Sequence, residues 1–473
     1  MLPCSGICLC RAAAGGFSMK HQTDTDTTVS PMSKTPWVLF LVITTVFFIT
    51  GHDLLRNQNA LFRSTEEFNP TEEEAIQILA QYESGQMYKA VTYLAFGAFA
   101  VLSLLAFQRF NPVTMRGVYS RFAVAFLVWC VLSLAWTFDR SITFNKLAIL
   151  VLLSIAAVAA AQRFRMEDVA WLVVFSGTVY LLAGIGSELY LGTFRPWVSG
   201  YRFSGTIHPN GQGMNCALLL LAALFLFFRE QQWRKTLLAI AIFGGVFLLM
   251  TKSRTPIGAI GASLLIFGLL RLPLSLKVAT AAAVGLVLAA IPIFRRLLDS
   301  VLETLYLMGR TDVVGSEAKN LSGRADLWDQ CWHFIKQQPF IGYGYNSFWT
   351  VDNTRDIAEK IDWYSGSAHS VYIDIVLGLG FVGLALYLIL LFAGIARFLW
   401  AYQASGDNSY AFAAVLLLFS LVHGIMESAF LYPAIYMFLV TMLFARAAFV
   451  REPFEQEASE TAPESGRQLA VSH

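Results

Sequence analysis

Charge is scarce in this chain, and that scarcity narrows the possibilities before any motif does. Only 14% of the 473 residues are Asp, Glu, Lys or Arg, against about a quarter in an ordinary soluble domain. The formal net charge of +2 provides no footprint for nucleic acid and no pull toward acidic partners. Cysteine is equally sparse, at six. Cys4, Cys8 and Cys10 cluster without a matching second half, Cys130 and Cys216 lie in apolar runs, and Cys331 stands alone, so no disulfide framework is implied. The seven histidines show no zinc-like spacing such as His-Glu-x-x-His, and no acidic pair marks a metal site. Residues 1–35 lack a basic start followed by an apolar core and a cleavage site, so they do not read as a signal peptide. No short-period repeat is evident.

What the chain has in quantity is apolar sequence: 56% of residues are hydrophobic and the mean hydropathy is +0.57. A bilayer core of about 30 Å takes about 20 apolar residues per helix. Segments near 36–52, 88–107, 118–136, 142–161, 169–194, 211–228, 235–251, 255–270, 275–293, 370–396, 409–426 and 429–448 meet that requirement. The expected fold class is therefore an all-α polytopic membrane protein with about twelve transmembrane helices.

Orientation follows from Lys and Arg in the short loops. With the N-terminus inside, cytoplasmic positions hold Arg109, Arg116, Arg163, Arg165, Arg229, Arg234, Lys235, Arg271, Lys277, Arg397, Arg446 and Arg451. The opposite short loops hold Arg140, Arg195, Arg202, Lys252 and Arg254. The imbalance places both termini in the cytoplasm and the long polar segment 294–369 outside. The organisation expected is a disordered cytoplasmic stretch 1–35, nine helices within 36–293, an extracytoplasmic segment 294–369, three helices within 370–448, and a disordered tail 449–473 rich in Glu, Ser and Ala. Between the first two spans, Thr71 and Glu74 form a capping-box pattern that opens an acidic surface helix.

Four polar clusters then meet at the outer face. They are 201–210, with Arg202, His208 and Asn210; 251–255, with Lys252 and Arg254; 321–328 with 342–345; and His369 at the entrance to the tenth span. Arg254 sits in a five-residue turn between two apolar spans, so its guanidinium lies near headgroup level. It snorkels, pairs with an acid such as Glu427, or meets an anionic ligand, and Lys252 nearby raises the local positive potential. Arg324 begins a helix that runs to Gln337 and stops at Pro339, with Ser322 as its N-cap. Leu327, Trp328, Cys331, Trp332 and Ile335 share one face of it. Arg324 there is a solvated first-turn residue or a phosphate ligand at a helix N-terminus. His369 is structural or a base, since neutral imidazole accepts a hydroxyl proton near neutral pH. His208 is a second candidate or a residue that orders its own loop. Gly342-x-Gly344 reads as a tight turn.

Together these residues resemble the O-antigen ligase and polymerase superfamily of bacterial surface-polysaccharide assembly. The resemblance rests on Ser253-Arg254-Thr255, Ser322-Gly323-Arg324-Ala325-Asp326-Leu327-Trp328, Pro339-x-x-Gly342-x-Gly344, and His369-Ser370 before the glycine-rich 378–383 stretch. It is strongest over about 200–396. Ser370 departs from the Asn found in many relatives, which leaves the histidine intact but removes one acceptor contact from the pattern.

The resemblance implies a lipid-dependent glycosyltransferase of GT-C-like architecture, in the bacterial inner membrane with its site on the periplasmic face. Its donor would be a glycan on undecaprenyl diphosphate, and its acceptor a glycan hydroxyl or lipid A–core. His369 would be the base. Arg254 and Arg324, with Arg202 and Lys252, would bind the diphosphate, and His208 and Asn210 would be auxiliary. No cofactor and no metal are implied; the partners would be membrane lipid and other polysaccharide-assembly proteins. The aromatic stretch 342–349 resembles exopolysaccharide polymerases slightly more than ligases. Tyr343, Tyr345, Trp349, Trp363 and Tyr364 are either sugar platforms or a packed aromatic core. A twelve-helix carrier of lipid-linked sugars, or a noncatalytic assembly scaffold, would share the hydropathy. Against a carrier, the chain shows no two-half repeat.

Overall fold

A computed structural model of the chain describes residues 36–54, 86–107, 117–198, 200–273, 323–361 and 363–451, together with 113, 115, 275 and 276. The span expected at 275–293, the Thr71–Glu74 capping box, residues 1–35 and the tail after Arg451 lie outside the described residues. The polar segment 294–369 is described from Gly323 onward.

Helices account for all the regular structure among the described residues. They are α1 (Trp37–Gly51), α2 (Gln86–Phe107), α3 (Gly117–Leu132), α4 (Arg140–Arg163), α5 (Met166–Tyr190), α6 (Pro209–Arg229), α7 (Arg234–Met250), α8 (Arg254–Arg271), α9 (Arg324–Gln337), α10 (Val351–Ile361), α11 (Val371–Ser405), α12 (Asn408–His423) and α13 (Ile435–Phe449). Among the described residues, seven segments are long and apolar enough to cross a membrane: α2, α3 with its following 3₁₀ turn, α4, α5, α6, α8 and α11. Helices α1, α12 and α13 are apolar but shorter. Each expected span within the described residues thus has a helix. The last begins later than the apolar run suggests, because residues 429–431 form a separate 3₁₀ turn before α13.

Local chemistry sets several boundaries. Asp139 caps α4 by accepting from the Ile142 amide at 2.8 Å, and Asp407 caps α12 through the Ser409 amide at 2.9 Å. Helix α6 packs between α5 and α7, α4 between α2 and α13, and α11 lies against α3, α12 and α13. Fully buried Leu172, Leu219, Leu391, Phe419 and Phe438 fill these seams. Phe138, Leu102, Leu265 and Phe392 face outward, the arrangement expected where lipid rather than water surrounds the bundle.

Helix α11 is broken. Gly380 sits at φ 67°, ψ −174°, a conformation that is essentially glycine's alone. The segment Pro339–Gly344 enters the break and takes up the freed backbone groups. Tyr343 and Gly344 amides donate to the carbonyls of Leu377 and Gly378, both at 2.8 Å, while the Phe381 amide donates to the Pro339 carbonyl at 2.8 Å. Two indoles complete the satisfaction: Trp129 donates to the Leu379 carbonyl and Trp136 to the Ile341 carbonyl, each at 3.0 Å. The approach leaves no room for side chains, since a Cβ on Gly380 would lie 2.1 Å from the Phe340 carbonyl carbon. Irregular backbone within an apolar helix requires this kind of internal pairing.

Helix α9 lies along α11. Leu327, Cys331 and Ile335 are buried with Tyr343, Phe348, Ile357, Val376 and Leu377, and Trp328 packs on that cluster. Trp332 departs from expectation: it is 46% exposed and meets Phe381 only edge-on. The cap also differs. The N-cap residue is Gly323 at φ 78°, a left-handed position that suits glycine, and Ser322 lies outside the described residues.

Candidate active site

The polar clusters converge at the end of the bundle that carries α9 and α10, and Glu427 is their hub. This acid lies in the connection between α12 and the 429–431 turn, with its side chain only 12% exposed. Its two oxygens have different partners. Oε1 accepts from Arg324 Nη2 at 2.8 Å and from Asn210 Nδ2 at 2.9 Å. Oε2 faces His369 Nδ1 at 3.7 Å, a charge contact longer than a hydrogen bond. Burial pushes the Glu427 carboxyl up, but His369 and Arg324 beside it outweigh that push and hold it at about 2. The acid is therefore an anion at any working pH.

Arg324 is fixed at two points, since Nη1 also donates to the Met426 carbonyl at 2.5 Å. Its remaining N–H groups stay available as donors. His369 is held in an unusual backbone state, φ 49°, two residues before α11 begins. Its ring stacks on Trp363 at 5.4 Å with planes 8° apart. Trp363 is thus committed to the His369 ring, and Tyr343 and Tyr345, at 5% and 4% exposure, are core. The 342–349 stretch earns its glycines and aromatics by filling the α11 break. It therefore says nothing about the acceptor.

Asn210 extends the cluster. Its Oδ1 accepts from Arg202 Nη2 at 3.0 Å and from the Ser253 hydroxyl at 3.2 Å. Arg202 Nε also donates to the Thr251 carbonyl at 3.0 Å, so the 201–210 and 251–255 loops are stitched together. Arg254 is the first residue of α8, half-buried, directly after Ser253. Lys252 occupies the turn between α7 and α8 at φ 49°. His208 is exposed, and its Nδ1 accepts from the Asn210 amide at 3.2 Å. It is the N-cap of α6, so its observed work is ordering the helix start.

Sequence reasoning missed three acids as parts of this region. Glu427 appeared only as a partner for Arg254, whereas Arg324 is the cation at its carboxylate. Glu188, fully buried, accepts from the Ser204 and Gly205 amides at 2.9 and 2.8 Å and from the Tyr201 hydroxyl at 2.5 Å. It thereby shapes the loop that carries Arg202. Burial and Glu188 together push the Tyr201 phenol well up, keeping it a donor. The third is Asp374. A signal existed for Glu188 and Asp374, because each is an acid within an apolar run.

Comparison with known families decides the class. Residues 239–388 match the family model for O-antigen ligase. That stretch of the chain is similar to the O-antigen ligase family. The match runs from within α7 to within α11 and includes Arg254, Arg324 and His369. Arg202, Asn210 and Glu427 lie outside the matched residues and join the cluster through the fold. A search of the curated proteins gives no match. The likeness supports a helical membrane protein with a glycan-transfer role of the polysaccharide-biosynthesis kind.

Proposed function

We propose that this O-antigen ligase-type protein transfers a glycan from undecaprenyl diphosphate to a hydroxyl of a second glycan, on the outer face of the bacterial cytoplasmic membrane. The observation that carries the reading is Glu427, which gathers Arg324, Asn210 and His369 around one buried carboxylate. Both termini are cytoplasmic on this reading, 294–369 is the outer catalytic segment, and 36–293 and 370–448 form the membrane body in a GT-C-like arrangement.

His369 Nδ1 faces Glu427, so Nε2 is the ring nitrogen left to take a proton. The acceptor hydroxyl gives its proton to Nε2 and attacks the donor's anomeric carbon. The bond from that carbon to the diphosphate oxygen breaks, and its electron pair leaves with the diphosphate. A single displacement inverts the anomeric centre. Glu427 stabilises the imidazolium as it forms, a division of labour shared with other carboxylate–histidine pairs.

The leaving diphosphate gains negative charge, and pre-oriented cations stabilise it more in the transition state than in the ground state. Arg324 and Arg254 fill that role, with Arg202 and Lys252 adding to the potential. Guanidinium groups, in this reading, do what a divalent ion does elsewhere. The acceptor is another lipid-linked repeat or lipid A–core.

The test uses purified protein in lipid nanodiscs with a defined lipid-linked glycan and both acceptors, with and without chelator. Chelator-insensitive formation of a new, inverted glycosidic bond, lost in His369→Gln, is expected. Movement of the lipid-linked glycan across the bilayer without bond formation would overturn the reading in favour of a carrier. Normal polymer from a His369→Gln strain would favour a scaffold.

A further inference from the structure

Asp374 lies in the first turn of α11 and is 8% exposed. An acid there meets the positive end of its helix, which by itself would explain an ordinary capping residue. Its partners go well beyond that role. Oδ1 accepts from the Trp349 indole at 2.8 Å and from the Ala368 amide at 3.0 Å. Oδ2 accepts a short hydrogen bond from the Ser428 hydroxyl. Ala368 immediately precedes His369, and Ser428 immediately follows Glu427. One buried carboxyl group therefore holds the two chain segments from which the base and its carboxylate partner project, and ties both to the aromatic core of the outer segment.

The base needs such a clamp. A non-glycine residue in the left-handed region, as His369 is, is strained and persists only where its surroundings over-determine it. Its own amide has a long contact to Ser367 Oγ, 3.4 Å. The firm restraints on either side are the Ala368 amide on Asp374 and the Val371 amide on the Gly424 carbonyl at 2.9 Å. Gly424 belongs to the same connection as Glu427 and Ser428. The run 368–371 is thus pinned twice to the 424–428 connection, once through Asp374.

We propose that Asp374 is a positioning residue that sets the separation of His369 and Glu427 without touching substrate. The inference rests on the glycan-transfer reading and deepens it. A misplacement of about 1 Å between reacting groups costs up to about a hundredfold in rate, so the clamp acts on kcat through the geometry of the pair.

Two variants probe it. Asp374→Asn keeps shape and the Oδ1 acceptor but turns an NH₂ toward Ser428. Ser428→Ala breaks the same contact from the other side with less disturbance, and carries the test if Asp374→Asn does not accumulate. Both should lower kcat by about ten- to hundredfold with the KM for lipid-linked donor within about threefold. In a His369→Gln background, either change should then cost nothing more, because the group it positions is gone. A full further loss in the double variant, or a wild-type kcat in both single variants, overturns the clamp alone. Undiminished transfer by His369→Gln itself overturns the base assignment and the clamp with it.

Discussion

Replacing Glu427 by glutamine asks how far the base depends on the carboxylate beside it. The change keeps length and one carbonyl oxygen, so Arg324 and Asn210 retain an acceptor. What disappears is the negative charge 3.7 Å from His369 Nδ1. Its worth follows from the acid's own ionisation. A carboxyl held at about 2 instead of 4.5 reflects about 3 kcal/mol of favourable interaction in its charged form. If all of that acted on the imidazolium formed in the transition state, the loss would be about a hundredfold at ~1.4 kcal/mol per tenfold. That figure is net of the cost of burial, and Arg324 and His423 share the attraction with His369, so a fall in kcat of about ten- to thirtyfold is expected. Single-turnover transfer in nanodiscs, following released polyprenyl diphosphate and extended glycan together, measures it directly. Donor KM should hold or fall, because Arg324 loses its competing anion. A Glu427→Gln protein with undiminished kcat, or a loss carried wholly by KM, would refute the reasoning.

Other consequences are as specific. Because Glu427 is held below its ordinary 4.5, it adds stability above that value and loses it as pH falls toward about 2. The gap in thermal midpoint between the native protein and Glu427→Gln should be constant above about pH 5 and close as the medium is acidified. Arg254→Lys should recover little of the transfer lost in Arg254→Ala, since an ammonium lacks the planar two-point fit to phosphate; equal kcat/KM in the Lys variant would count against bidentate binding. Gly380→Ala places a Cβ against the Phe340 carbonyl at a backbone angle that disfavours it, and should lower membrane abundance and thermal midpoint sharply. Trp136→Phe removes the indole donor from the Ile341 carbonyl and should cost about 0.5–1.5 kcal/mol, read as a fall in midpoint with the donor KM unmoved.

The helices were legible because lipid imposes one rule, about twenty apolar residues per crossing, and runs such as 140–163 and 209–229 obey it plainly. The polar turns between them were legible for the opposite reason: Arg202, Arg254 and Arg324 stand where an apolar pattern is interrupted. What the periodicity left hidden was how those turns connect. Glu427 sits between two spans with no motif around it, and its role appears only when α12 and α9 bring Arg324 alongside. The Pro339–Gly344 turn was recognisable as a turn, but not as the patch for a break in α11, since its partners lie nearly forty residues on. Trp332 shared the helical spacing of the buried face, yet a face that is too wide leaves one member outside.

The join between Pro339–Gly344 and the interrupted α11 also bears on modularity. Outer loops of membrane enzymes are commonly regarded as exchangeable parts, to be grafted between homologues when a new acceptor is wanted. Here the loop donates to and accepts from the membrane helix's own backbone, so the two share one set of peptide bonds and have to be inherited together. A chimera that imports a foreign loop without the matching half of α11, Trp129 and Trp136 would expose bare peptide groups to hydrocarbon.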